Sequence, residues 1–444
     1  MLLSFRFANH RSFRDEQQLN LTPIYGSEES TAVDARLEAV PVVGIFGANA
    51  SGKSNVISAL EYAVAMIGRS DRESEPGLPP RRQPFRLRPN FKTSPSSYAV
   101  DLTVGGIRHT YGFILNDQQI LEEWLYSYPL QRKRIVFERS GQDFNWGEES
   151  GRSSAKRISE IVSRTSLFLS TTARFNLAEA NADDSTAESL HGTYTTLRQK
   201  TSVPQTTIET FLGYEQHYYG LLEDPLKRKR IVNLLRAADV GLSDVRVRPD
   251  GYWVGGSFIP GDDPNIEELV YQSERSALVT RSEVSFLHNG EHGTAALGIG
   301  EESSGTLRLV EVAASAISVL DDGGLMLIDE IDASLHPLLT AALIRLFQSP
   351  ETNRNNAQII FTTHDAALLG SIDGDDVLRR DQVWFTDKGD DGASELFPLS
   401  EFKPRRQGEN RQKRYLNGSY GAIPELSMRL FERAVSTRAD ADGE

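Results

Sequence analysis

Residues 47–54 read GANASGKS: a glycine, four residues, then Gly-Lys-Ser. That spacing is the pattern of a phosphate-binding loop. The flanks agree with it. VPVVGIF, 40–46, is short, apolar and β-branched, as a buried strand requires. After the loop, KSNVISALEYAVAMIG sets Val56, Ala59, Leu60, Ala63 and Ile67 at helical spacing. Strand, glycine loop and helix predict that Gly47 opens a tight turn. The backbone N–H groups of Ala48, Asn49, Ala50, Ser51, Gly52, Lys53 and Ser54 then face a phosphate, at a helix start whose dipole favours anions. Asn55 closes this candidate set. Lys53 would neutralise the outer phosphates of ATP, and Ser54 offers a hydroxyl to Mg2+.

The chain has 444 residues, with 39% apolar and 9% aromatic content, enough for a sizeable core and two or three domains. Its 62 acids against 48 bases give a net charge of −14, which argues against non-specific coating of nucleic acid or anionic membrane. There is no cysteine, so disulfides and thiolate metal sites are excluded. No apolar run approaches the roughly 18 residues of a membrane span. MLLSFRFANHR carries charges where a secretory signal needs apolar residues. A cytoplasmic protein is the expectation.

Upstream of the loop, LLSFRF at 2–7 alternates like a strand that QLNLTP could pair with. Residues 70–97 read as loop. SYAVDLTV, RHTYGFIL, EEWLYSYPL and RIVFER then read as successive strands of an antiparallel sheet. From about 155 to 240 the pattern turns helical, in KRISEIVSRTSLFLSTTA, TIETFLGYEQHYYGLL and KRKRIVNLLRAADVG, without sustained heptads. Residues 245–280 read as irregular. EVSFLH is a strand, and EESSGTLRLVEVAASAISVL a helix with the stripe Leu307, Val310, Ala314, Ile317 and Leu320. GLMLIDE, LHPLLTAALIRLFQ and AQIIFTTHD follow as strand, helix and strand.

Three further stretches carry chemistry. LMLIDE ends an apolar strand on Asp329, placed for the Mg2+ shell, and Glu330, placed to polarise a water. ESSGT puts Ser303, Ser304 and the N–H groups of Gly305 and Thr306 at a helix start. This is a second anion-accepting end or an ordinary cap. His364 lies just past the strand IIFT, as a phosphate-facing ring or a satisfied structural one.

The four pieces, in this order, resemble an ABC-type ATPase, in particular the heads of the SMC, RecF and OLD group. DEIDASLHP, 329–337, is similar to the Walker B and D-loop of that group, and NHRSF, 9–13, to its N-terminal Asn-x-Arg-Ser-Phe element. More narrowly, YGFIL…ILEEWLYSYP, LLRAADVGLSDVRV, ESSGT, DEIDASLHP, FTTHDAALL and YLNGSYGAIP resemble the stand-alone ATP-binding proteins of bacterial defence islands, the RloA and AbiL type.

The resemblance implies an α/β fold. It would be an ABC-type P-loop ATPase head, with a mixed sheet and an antiparallel β subdomain, carrying an inserted, mainly helical lobe. The expected division is 1–150 and 283–400 for the two parts of the head, 151–282 for the lobe and 401–444 for a basic C-terminal segment. It further implies that two copies sandwich ATP and Mg2+. Lys53, Ser54 and Asp329 would bind them, Glu330 act as general base, and His364 contact the γ-phosphate. Ser304 and Gly305 would reach the partner copy's γ-phosphate, and Arg11 would touch phosphate. Relatives carry a glutamine between the first lobe and the insertion. Gln83 and the loop near Thr171–Asn176 both qualify. His336 stands where the SMC D-loop has aspartate.

RRQPFRLRPNFK (81–92), LKRKR (226–230) and KPRRQGENRQKR (403–414) are basic strips, candidate phosphate contacts or solvated loop charge. The expected partners are a second copy of the chain and a separately encoded nuclease or toxin, with nucleic acid as a further candidate. The leading expectation is an ATP-driven switch in antiphage or abortive-infection defence. The alternative is a RecF-like ATP-gated DNA clamp. A small-molecule kinase would have no use for ESSGT or the D-loop-like segment.

Overall fold

The computed structural model describes residues 1–24, 39–73, 81–148, 155–175, 185–204, 220–238, 241–254, 257–260, 278–333, 335–372, 374–403, 409–423, 427–429 and 432–433. Its strands fall into three larger sheets.

In chain order, β1 (Leu2–Ala8), β2 (Gln17–Asn20) and β3 (Val42–Phe46) precede the long helix α1 (Lys53–Glu73) and the short α2 (Pro89–Thr93). Five strands follow: β4 (Ser96–Val104), β5 (Ile107–Leu115), β6 (Ile120–Ser127), β7 (Arg134–Ser140) and β8 (Asp143–Trp146). They form one antiparallel sheet in the order β2-β1-β4-β5-β6-β7-β8. The pairing of LLSFRF with QLNL is as expected. The expected loop over 70–97 is partly helix, because α1 runs on to Glu73 and Pro89 starts α2 from the N1/N2 position.

Next come α3 (Ala155–Ser159), α4 (Phe168–Arg174), α5 (Ser185–Tyr194), the two-residue β9 (Thr201–Ser202) and α6 (Pro225–Ala237). Most of TIETFLGYEQHYYGLL lies outside the described residues. The described residues of the stretch 245–280, read as irregular from its Gly and Asp content, are instead in strands, whereas 255–256 and 261–277 lie outside the described residues. β10 (Leu242–Val254), β11 (Ser257–Pro260), β12 (Leu278–Gly290) and β13 (Gly293–Gly298) form a second antiparallel sheet, ordered β11-β10-β12-β13. Cross-strand pairing over-rides the weak local pattern there. The expected boundary at 282/283 falls inside β12.

The chain then returns through α7 (Ser304–Asp322), β14 (Leu325–Ile328), α8 (Pro337–Gln348), β15 (Gln358–Thr362), β16 (Val383–Lys388), β17 (Ser394–Pro398) and α9 (Arg411–Leu416). The central sheet runs β17-β16-β3-β15-β14-β9. All neighbours are parallel except the edge pair β16–β17. β3, β14 and β15 are buried at every residue, as a parallel sheet covered on both faces demands.

α1 buries Val56, Ala59, Leu60, Ala63 and Ile67 in a core shared with the seven-stranded sheet. α7 is buried on two sides. Val312, Ala316 and Val319 pack toward the central sheet, whereas Leu307, Val310, Ala314 and Ile317 join a separate core with α6 and the four-stranded sheet. No helix among the described residues is long and apolar enough to cross a membrane.

Candidate nucleotide site

The phosphate loop leaves β3 at the C-terminal edge of the central sheet and runs into α1. Its shape needs positive φ at Gly47 (156°), Ala50 (63°) and Gly52 (115°). A Cβ on Gly52 would lie 2.7 Å from Ser394 Oγ and 3.0 Å from Ser12 Oγ, so glycine is required there on steric grounds as well. The loop is braced from β16 and β17. Ser51 and Thr386 share a hydroxyl hydrogen bond of 2.7 Å, and Ser394 Oγ donates to Ser12 Oγ at 2.8 Å. Ser51 is thus occupied in bracing.

Lys53 Nζ donates to the loop's own carbonyls, Gly47 O at 2.8 Å and Ala48 O at 3.0 Å. Burial pulls its ammonium below the usual lysine range, while Glu330, Asp329 and Asp332 pull the other way. A polyanion in the loop would favour the charged form.

β14 and β15 end beside β3, and that register assembles the second half of the site. Thr362 Oγ1 donates to Asp329 Oδ1 at 2.6 Å and accepts from the Glu330 N–H at 2.8 Å. Glu330 itself adopts a left-handed φ of 51°, which turns it off the strand. His364 Nε2 lies 3.1 Å from Asp332 Oδ2. A cavity of about 1170 Å³ is lined by Gly47–Ala50, Gly52–Asn55, Glu330 and His364, together with Ser12, Ala366, Lys388, Tyr415, Leu416 and Ile423. Residues read from three distant stretches therefore meet, since parallel strands bring their C-terminal ends to one edge.

Other expected residues are placed differently. Asp329 is not among the cavity's lining residues, and its carboxylate accepts from Thr362. Arg11, also at positive φ, turns its guanidinium onto Gln83 Oε1, and its Nη1 donates to Asn55 Oδ1 at 3.4 Å. Of the two candidate glutamine loops, Gln83 is the one tied to this edge. Thr171 is buried in α4 with its hydroxyl on Leu167 O, and Asn176 lies outside the described residues. The element NHRSF also explains itself. Asn9 Nδ2 donates to the carbonyls of Phe91 and Ser94, Asn55 Nδ2 donates to Ser12 Oγ, and Phe13 is fully buried.

Ser303 caps α7: its hydroxyl accepts from the Thr306 N–H at 3.0 Å. Ser304 is exposed and Gly305 partly so, and neither lines the cavity of its own chain. Glu302, just upstream, pairs with His288 of β12. The helix start is thereby tied to the four-stranded sheet.

Some bases of the strips are drawn into ion pairs, while Arg81, Arg86, Lys92 and Lys229 are exposed. Arg82 is buried against Asp117, Arg88 pairs with Asp391, Arg230 with Asp321, and Arg411 with Asp376. Of the expected basic tail, 409–423 packs on the central sheet through Tyr415 and Tyr420. Residues 404–408 lie outside the described residues. Ser12, Thr362, Asp332, Thr386 and Tyr415 were not singled out from sequence. Each lies in or beside a quoted motif except Thr386, which carries no signal.

Hard oxygen donors suit Mg2+. Ser54, which lines the cavity, and Asp329, held by Thr362, carry oxygen donors of that kind.

A phosphate loop on a parallel strand, with an acidic strand end and a histidine converging on it, defines a P-loop nucleotide-binding head of the AAA/ABC kind. Residues 42–370 match the family described as AAA domain, putative AbiEii toxin, Type IV TA system, and the chain belongs to that family. Among solved structures it is similar to the SMC head domain from Thermotoga maritima, at 12% identity and a TM-score of 0.39 over 89% of this chain and 98% of that one. It is also similar to the SMC head bound to the C-winged helix domain of ScpA, at 12% identity and a TM-score of 0.43 over 90% and 99%. No curated protein matches the chain.

Proposed function

We propose that the protein binds and hydrolyses ATP as a switch, two copies closing head to head around the nucleotide. The convergence of Lys53, Ser54, Glu330 and His364 on one cavity carries this reading. Phosphoryl transfer to water needs neutralised charge and a positioned nucleophile more than covalent chemistry. The loop amides and Lys53 would hold the phosphates. Glu330, turned into the cavity, would orient the attacking water and take its proton. His364, backed by Asp332, would donate to the γ-phosphate. Mg2+, held by Ser54 and Asp329, supplies further charge neutralisation when bound.

The exposed Ser304–Gly305 helix start lies outside its own chain's cavity, which suits a contact made in trans to a partner's γ-phosphate. The family description favours a defence or toxin–antitoxin setting, in which the switch would govern a separately encoded effector in the cytoplasm, as the narrower RloA and AbiL likeness suggests. The net charge of −14 weighs against a DNA clamp.

Lys53→Ala is expected to abolish ATP binding. Glu330→Gln is expected to keep binding, lower phosphate release at least about 100-fold, and double the mass seen by gel filtration with ATP. Retained hydrolysis in either variant, or an unchanged mass for Glu330→Gln with ATP bound, would count against the reading.

A further inference from the structure

The segment YLNGSYGAIP contributes to the cavity although nothing in the hydrolysis scheme uses it. Its described part is closely built. Asn410 caps α9 by accepting from the Lys413 N–H at 2.7 Å. Arg411 donates to Leu378 O at 2.8 Å and pairs with Asp376 at 2.6 Å. The chain then reverses through left-handed residues Gly418, Gly421 and Ala422, with φ of 74°, 68° and 57°. Tyr420 donates to Glu409 at 2.7 Å, and Ala422 N donates to Asp387 Oδ2 at 3.3 Å.

Tyr415 joins this segment to the phosphate loop. Its ring stacks on Phe385 of β16, centroids 5.6 Å apart, and is almost wholly buried. Its ring also meets that of Phe46, the residue before Gly47, edge-on with centroids 6.3 Å apart. Its hydroxyl donates to Ala422 O at 3.2 Å, and the Tyr415 oxygen also faces the Gly47 N–H. Gly47 is held from its other side by Lys53 Nζ on its carbonyl. Gly47 is therefore held on its carbonyl by Lys53 and on its amide side by the C-terminal segment. Leu416 and Ile423, either side of the reversal, line the same cavity.

We infer that Tyr415 is a positioning residue for the phosphate loop, and that through it residues 410–423 are coupled to nucleotide occupancy. The inference rests on the proposed nucleotide site. Coupling of this kind is reciprocal: if the segment supports binding, binding must steady the segment. ATP that draws Lys53 toward phosphate leaves Tyr415 as a principal restraint on Gly47. An intact segment then strengthens binding, and bound ATP holds Tyr415 and Ala422 in place. The C-terminal segment would thus report whether the site is filled.

The segment carries its own probe, since trypsin cleaves after Lys413 and Arg414. On the full chain, saturating ATP is expected to slow cleavage there at least about fivefold, and Lys53→Ala to abolish that protection. Tyr415→Phe keeps the stacked ring and removes the hydroxyl. It is expected to leave the melting temperature nearly unchanged, weaken ATP about 5- to 10-fold in line with one hydrogen bond, and reduce the protection even at saturation. A purely structural tyrosine would move stability and not the affinity or the protection. Wild-type cleavage at one rate with and without bound ATP overturns the coupling, as does Tyr415→Phe with wild-type affinity. Should the phenylalanine variant not fold, the wild-type protection decides. If wild-type and Lys53→Ala chains alike fail to bind ATP, the nucleotide reading itself falls.

Discussion

Gly52 illustrates how little freedom the site allows. Its φ of 115° and the nearby hydroxyls of Ser394 and Ser12 leave no room for a methyl group. Gly52→Ala is expected to cost about 1–3 kcal/mol of stability and more than about tenfold in ATP affinity, read by urea melts and calorimetric titration. His10, in the neighbouring NHRSF element, makes a pH prediction. It is buried, with Nδ1 2.9 Å from the Tyr98 hydroxyl. Burial, with Arg11 alongside, holds its imidazole down at about 3. The unfolded chain takes up a proton on this ring below about 6.5, which the folded chain refuses until about pH 3. Stability from this residue is therefore fully present above pH 6.5 and falls as pH drops toward 3. Melting temperatures measured from neutral to about pH 4 should fall less steeply for His10→Gln than for the wild type.

At the scale of elements, the seven-stranded sheet is tied to α4 through one carboxylate. Glu123 of β6 accepts from the Phe168 and Leu169 N–H groups at 2.7 and 3.0 Å and from the Tyr111 hydroxyl at 3.0 Å, and it pairs with the fully buried Arg139. α4 is in turn fixed to the end of α1, where Ser70 Oγ accepts from Leu167 N and Ser170 Oγ from Asp71 N. Glu123→Ala strands Arg139 without its counter-charge, at a cost of about 3–5 kcal/mol. A chemical denaturation curve checks it, and a loss under about 1 kcal/mol would show that the tie is dispensable. α7 is the other connector. One face packs in the central core and the other in the core shared with α6 and the four-stranded sheet.

For the whole molecule, the cavity holds a phosphate loop, an acidic strand end and a histidine, but the Ser304–Gly305 helix start belongs elsewhere. If, as proposed, a second copy completes the site, turnover depends on association. Specific ATPase activity is expected to rise with protein concentration and then plateau. A specific activity independent of concentration, in a chain that stays monomeric with ATP, would point to a site sufficient by itself.

The glycine loop, its flanking strand and helix, the antiparallel strands from 97 to 139 and the Asp329–Glu330 and His364 strand ends were legible from sequence, because each is a local pattern. Spacing sets a phosphate loop, a 3.6-residue period sets α1 and α7, and apolar runs set buried parallel strands. What tertiary structure alone decided depends on long-range pairing. The strands β10 and β11 are held by pairing with their neighbours, and no local period announces them; of β12 only EVSFLH was legible. Ser51 braces Thr386, Arg11 meets Gln83, and Tyr415 reaches Gly47 only because the central sheet sets these segments edge to edge. The charge strips show the same limit: a row of arginines has one composition whether it faces solvent or, like Arg82 and Arg411, lies buried on a carboxylate from another part of the chain.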